Sequence, residues 1–199
     1  MLSNSDEIII ENSFIAEDLN DGIEHGIYVS SLAGKLAREL NIDRELCHDI
    51  EIAGLLHDIG KLRIAPYIYG RDENTMQIEE MRYVRKHSNL GYEIAKSQGY
   101  SERICEIILH HHENFDGSGY PDNLVGTNIS LGARVIRVCD VFAALVSDRP
   151  YRKAFDIYQA TELIIDEVKH FDMKIFLAFQ NIIHNEKILQ DIEDRYSKS

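Results

Sequence analysis

The stretch Ile52–Asp58, IAGLLHD, is an apolar run that closes on a histidine and an aspartate side by side. It ends a segment, Leu46–Leu56, whose apolar residues recur every three or four positions, the spacing of one face of an α-helix. An imidazole and a carboxylate at the end of such a face are costly to bury unless they meet partners. The stretch therefore asks two things of the rest of the chain: other helices to cover the face, and other polar side chains to meet His57 and Asp58.

The helices are legible. The same period runs through Ile23–Leu40, Ile78–Ala95, Ile104–Leu109, Leu131–Val146 and Ile157–Val168. A last helix is expected after Asp172, through Ile175, Phe176, Phe179 and Ile183. Asn74-x-x-Gln77 and Asp156-x-x-Gln159 have the form of capping boxes, in which a side chain at each end satisfies a free backbone donor. Pro150 disfavours helical backbone at Arg149, so the sixth element is expected to stop there. No alternating strand pattern, internal repeat, low-complexity tract or linker occurs. The fold expected is all-α: a single-domain bundle of about seven helices with one long loop, Asn114–Asn128, carrying Gly117, Gly119, Pro121 and Gly126. Loops of that length in compact domains are often functional.

Composition narrows the class. The chain has 199 residues, 44% hydrophobic and 28% charged, ordinary values for a globular domain with a real core. No apolar run is long enough for a transmembrane helix, and MLSNSDEIII lacks the basic and apolar regions of a secretory signal. Cys47, Cys105 and Cys139 stand singly, which fits a reducing cytoplasm. The net charge of −13 argues against DNA, RNA or anionic membranes as partners. It also means that an anionic substrate would need local positive charge.

Polar residues inside the apolar helices supply the second requirement. His25 lies in an early helix, His87 in the helix over Ile78–Ala95, and His111 and His112 at the end of the one through Ile104–Leu109; Asp140 interrupts RVIRVCDVFAAL. Each alone has an ordinary explanation as a satisfied helix residue, and His48, His110, His170 and His184 are expected to be surface, core or neighbouring groups. Together with His57 and Asp58 they form a set of five histidines and two aspartates over five helices. Such a nitrogen- and oxygen-rich set suits iron, manganese, nickel or zinc. Seven ligands are too many for one tetrahedral ion and suit two ions sharing a carboxylate, in the bundle core where such sites are common.

The motifs LLHDIGK, HHENFDGSGYP and CDVFAALVSDRPYRK, in that order, resemble the HD-GYP family of cyclic dinucleotide phosphodiesterases, within the HD superfamily of metal-dependent phosphohydrolases. The similarity runs from about Glu24 to about Ile183. By this resemblance His25, His57, Asp58, His87, His111, His112 and Asp140 are the metal ligands, with Asp58 bridging two ions. Lys61 resembles the lysine that contacts the scissile phosphate. Tyr120, Arg149 and Arg152 resemble the residues that hold the cyclic dinucleotide. Asp21, one turn before His25, occupies the place where some members carry a glutamate that helps to bind a third ion.

The resemblance implies an HD-domain bundle over residues 21–190, with an extension at 1–20, a tail at 191–199 and no attached sensor domain. It implies metal-assisted hydrolysis of cyclic di-GMP to linear pGpG and onward to GMP, by Asp58 with the metals and by Lys61. The cofactors implied are two divalent ions, or three with Asp21, with iron or manganese ahead of nickel or zinc. A diguanylate cyclase domain is the implied protein partner, through the GYP loop. The rival readings are another cyclic dinucleotide or a nucleotide as substrate, and a slow or degenerate module that binds without turnover. Two departures stand out. YIYGRDENT replaces the usual turn after the HD motif, and DVFAAL places Ala143 where the family has an acidic residue. An aspartate at 143 is expected to speed turnover by orienting a ligand, the water or Lys61.

Overall fold

In the computed structural model the described residues are 4–68, 84–148 and 153–184, with backbone alone described for 4–19 and 65–68. The expected capping box at Asn74 and the arginines Arg149 and Arg152 lie outside these residues. The described residues form eight α-helices and two short 3₁₀ turns, and no strand. The helices are α1 (Asn4–Glu39), α2 (Arg44–Leu56), α3 (Lys61–Ile68), α4 (His87–Ser97), α5 (Glu102–His110), α6 (Leu131–Val146), α7 (Ile157–Asp166) and α8 (Met173–Ile183).

Local chemistry sets most boundaries. Asp43, Ser101, Ser130, Asp156 and Asp172 each precede a helix and accept a hydrogen bond from one of its first free N–H groups. The Asp156–Gln159 signal is thus a working cap. α1 stops where Asn41 takes φ 55° and Ile42 N reaches back to Ala37 O at 3.0 Å, a left-handed C-terminal cap.

Two helix starts differ from expectation, and one helix is additional. α1 starts at Asn4 rather than near Ile23, because residues 4–21 contain neither glycine nor proline to break it. The helix expected over Ile78–Ala95 begins, within the described residues, at His87. α6 ends at Val146, where its apolar period ends, before Pro150. Ser147 is extended there, and its hydroxyl donates to Ala143 O at 2.8 Å. α3 is the additional helix, starting three residues past Asp58, where the apolar period is too short to signal it.

α6 is the central strut. It packs against α1, α2, α5, α7 and α8, and buries Val135, Ile136, Val138, Cys139, Phe142 and Ala143. Phe142 meets Phe179 of α8 edge to face at 5.2 Å between centroids. Ala143 is 0% exposed and packs in this apolar core, so a carboxylate there would be desolvated. No helix among the described residues is long and apolar enough to cross a membrane.

Candidate metal centre

Three of the expected ligands sit at helix ends and are aimed by their own backbone. His57 follows the last residue of α2, His111 follows the last of α5, and His87 opens α4. In each, Nδ1 lies within hydrogen-bond reach of the carbonyl three residues back: Gly54 O at 2.8 Å, Ile108 O at 2.6 Å and Val84 O at 2.6 Å. A carbonyl only accepts, so Nδ1 carries a proton and donates, and Nε2 faces inward, as the free base in the neutral rings of His87 and His111.

Those inward nitrogens converge. His87 Nε2 is 3.2 Å from His111 Nε2 and 3.1 Å from His112 Nε2. The His87 and His111 lone pairs, so close, repel unless a cation lies between them. Two groups of ligand atoms each fall within a 4.8 Å span: Asp58, His87, His111 and His112 in one, His25, His57 and Asp58 in the other. Asp58 belongs to both. Asp140 adjoins the second group, with Oδ1 at 2.9 Å from His25 Nε2 and 3.5 Å from His57 Nε2. All seven expected ligands are therefore brought together. Among the described residues, the buried atoms His57 Nε2 and Asp58 Oδ1 have no hydrogen-bond partner. Asp58 Oδ2 stands 3.4 Å from His57 Nε2, and His87 Nε2 stands 3.3 Å from Asp58 Oδ1. Buried polar atoms left so are costly, and two such atoms within one imidazole–carboxylate cluster are what a bound divalent ion would satisfy.

The electrostatics agree. Burial drives His57 toward neutrality, but Asp58 and Asp140 outweigh it and raise its pKa to about 10. Burial dominates at His112, pushed down to about 3, and also lowers His87 and His111. Burial opposes ionisation of Asp58 and Asp140, yet His57 and Lys61 hold the first, and His25 and His57 the second, well below the carboxylate range. Near neutral pH the centre thus offers two carboxylates and three unprotonated imidazoles.

Close backbone approach holds the parts together. A Cβ on Gly60 would stand 1.9 Å from His87 O, so only glycine lets α4 reach the turn carrying Asp58. A Cβ on Gly119 would meet Asn114 N at 2.2 Å, so the loop folds flat on the backbone after His112. Tyr120 N then donates to His112 O at 3.2 Å, and the two rings lie 4.7 Å apart at 31°. Arg85 places its guanidinium carbon 5.2 Å from the Tyr120 centroid.

Other expected residues are placed as follows. Lys61 is exposed, with Nζ donating to Asp58 Oδ2 at 2.6 Å. Asp21 is exposed on α1 one turn before His25 and is in neither ligand group. His110 pairs with Asp122 Oδ2 at 3.0 Å, bracing the loop outside the cluster. His170 lies 2.8 Å from Glu167, also outside it.

Two residues were missed. Glu113 is buried and accepts from Asp122 N at 2.6 Å and Leu124 N at 3.1 Å, clamping the loop. Its place directly after two ligands was the available signal. Arg137, one turn before Asp140 on α6, donates from Nε to Asn114 Oδ1 at 2.9 Å. Helical spacing from Asp140 could have marked it.

A family model described as the HD domain matches residues 3–175. A cyclic di-GMP phosphodiesterase of Pseudomonas aeruginosa is 37% identical over 78% of this chain and 37% of its own length. A cyclic di-GMP phosphodiesterase response regulator of Xanthomonas campestris is 40% identical over 64% of this chain and 34% of its own. The chain thus spans little more than a third of these curated relatives. The crystal structure of a cyclic GMP-AMP specific phosphodiesterase of Vibrio cholerae matches 87% of this chain and 47% of that chain, with a TM-score of 0.70 at 17% identity, a likeness of fold.

Proposed function

This chain belongs to the HD domain family, and we propose from that premise that it is a metal-dependent phosphodiesterase hydrolysing cyclic di-GMP to linear pGpG, with GMP as the further product. The observation that carries the proposal is the shared carboxylate: Asp58 is common to two ligand groups, which suits a pair of divalent ions. We assign one ion to His25, His57 and Asp58 with Asp140 beside them, and the other to Asp58, His87, His111 and His112. Iron or manganese fits this mixture of imidazole and carboxylate, with nickel and zinc as alternatives. A third ion would draw on Asp21, which its exposure one turn from His25 permits. When bound, such ions activate water and offset charge on phosphoryl oxygens.

The chain's own residues supply aim, charge and substrate contacts. The Nδ1–H bonds fix the imidazoles before any ligand arrives. Lys61, exposed at the edge of the cluster, brings an ammonium group to the scissile phosphate. We assign Tyr120, whose N–H donates to His112 O, to one wall of the substrate cleft, and Arg149 and Arg152 to grip phosphate. We assign the catalytic unit to residues 21–190, flanked by an extension at 1–20 and a tail at 191–199. Three buried free cysteines support a cytoplasmic setting. The exposed part of the GYP loop, including Val125, is the face we assign to a diguanylate cyclase domain.

Protein purified anaerobically and loaded with iron or manganese should convert cyclic di-GMP to pGpG, read by product chromatography beside cyclic GMP-AMP and GMP. Turnover of cyclic GMP-AMP in preference would reassign the substrate. Metal-loaded protein that leaves every cyclic dinucleotide intact would sink the proposal.

A further inference from the structure

Arg137 is a charged group beside the centre that the catalytic reading leaves unused. It lies one turn before Asp140 on α6, on the same face of the helix. Its Nε is tied to Asn114 Oδ1, and Asn114 in turn donates to Ser118 Oγ at 2.9 Å, so the guanidinium plane is anchored to the base of the GYP loop. That bond uses a small part of a guanidinium's donor capacity. Neither terminal nitrogen makes a hydrogen bond or ion pair with any of the described residues. Burial disfavours its charged form, and that charge acts on His112 and on the Tyr120 phenol. A partly buried cation fixed at one end, with free donors at the other, feels Asp140 and Glu167 through space but pairs with neither, so it can still take an anion. Arg85, over the Tyr120 ring, adds a second positive charge to the same tyrosine.

We propose that Arg137, with Arg85 beside Tyr120, forms a second phosphate subsite, which takes the phosphodiester of a cyclic dinucleotide that is not being cleaved. The inference rests on the cyclic dinucleotide reading above. Such a ring carries two phosphodiesters; the metal centre with Lys61 accounts for one, and Arg137 with Arg85 would share the other with Arg149 and Arg152, assigned to phosphate above. The other stays anionic and must be met within a chain of net charge −13. A guanidinium fork held through Nε offers its two terminal nitrogens to two phosphate oxygens at once.

The test compares cyclic di-GMP with bis(p-nitrophenyl) phosphate, which has a single phosphodiester, on the metal-loaded full chain. In Arg137→Gln the ratio of kcat/KM for cyclic di-GMP to that for the dye ester should fall by about tenfold or more, mainly through KM. Arg137→Lys, which keeps the charge without the fork, should recover part of the loss. It also serves as the test variant if the glutamine protein does not fold. Equal losses on both substrates, or no loss in an enzyme that does turn over cyclic di-GMP, would overturn the subsite alone and leave Arg137 a strut between α6 and the loop. A wild-type protein that cleaves the dye ester but neither binds nor cleaves any cyclic dinucleotide would overturn the functional reading, and the subsite with it.

Discussion

Gly60 and His87 touch through backbone alone: the space a Gly60 side chain would need is taken by the His87 carbonyl oxygen, 1.9 Å from an ideal Cβ. A backbone carbonyl cannot swing aside like the end of a side chain. In Gly60→Ala, α4 must therefore retreat and carry the His87 imidazole with it. We expect a loss of roughly 1–3 kcal/mol in stability, the usual cost of overpacking, together with reduced metal per protein by elemental analysis. Full metal content at an unchanged melting temperature would contradict the packing described.

The shared role of Asp58 predicts an asymmetry among polar substitutions. Asp58→Ala should remove most of the bound metal, because both groups lose a ligand, while the helical circular dichroism persists. His48→Ala, at an exposed position on α2, should leave metal content unchanged. Similar metal content in the two variants would end the bridging assignment.

Metal binding should expel protons. In the metal-free protein burial works against charge on His57, yet Asp58 and Asp140 keep it protonated up to about pH 10. The folded value lies above the ordinary 6.5. The His57 proton therefore stabilises the metal-free fold fully below about pH 6.5, a contribution lost as pH rises through about 10. An ion needs the same Nε2 as a lone pair, so metal affinity should rise with pH through the neutral range, by about tenfold per pH unit for each proton displaced. Calorimetry in two buffers of different ionisation enthalpy counts the protons. Zero release at neutral pH would refute the assigned protonation state.

Ala143→Asp should destabilise the protein by roughly 2–5 kcal/mol, the scale for a polar group buried without partners. It would place a carboxylate among Val135, Phe142 and the rest of an apolar core. Paired melting curves and single-turnover rates decide the matter. An undiminished melting temperature, or a faster chemical step, would return the position to the active site.

The seven clustered positions all stood out in the sequence, and largely for one reason. A histidine or aspartate inside an apolar helical period is expensive without a partner, so His25, His87 and Asp140 marked themselves. The same reasoning could not find Glu113, whose partners are the backbone N–H groups of Asp122 and Leu124, because backbone donors leave no trace in residue identity. Nor could it find α3, whose apolar period is too short to show. Glycine contacts were equally silent: Gly60 stood only within a motif and Gly119 only among the glycines of the loop, while their structural role is absence of bulk.

The bonds from His57, His87 and His111 to carbonyls three residues back divide the labour of building this centre between two length scales. The direction in which each imidazole points is written within four consecutive residues and travels with its helix end as a rigid unit. The distances between imidazoles belong to the bundle as a whole. A substitution deep in the helix packing would therefore stretch or compress the constellation while leaving every ring correctly oriented. Evolution could thus retune which ion fits best by repacking apolar side chains far from the site, without touching a single ligand.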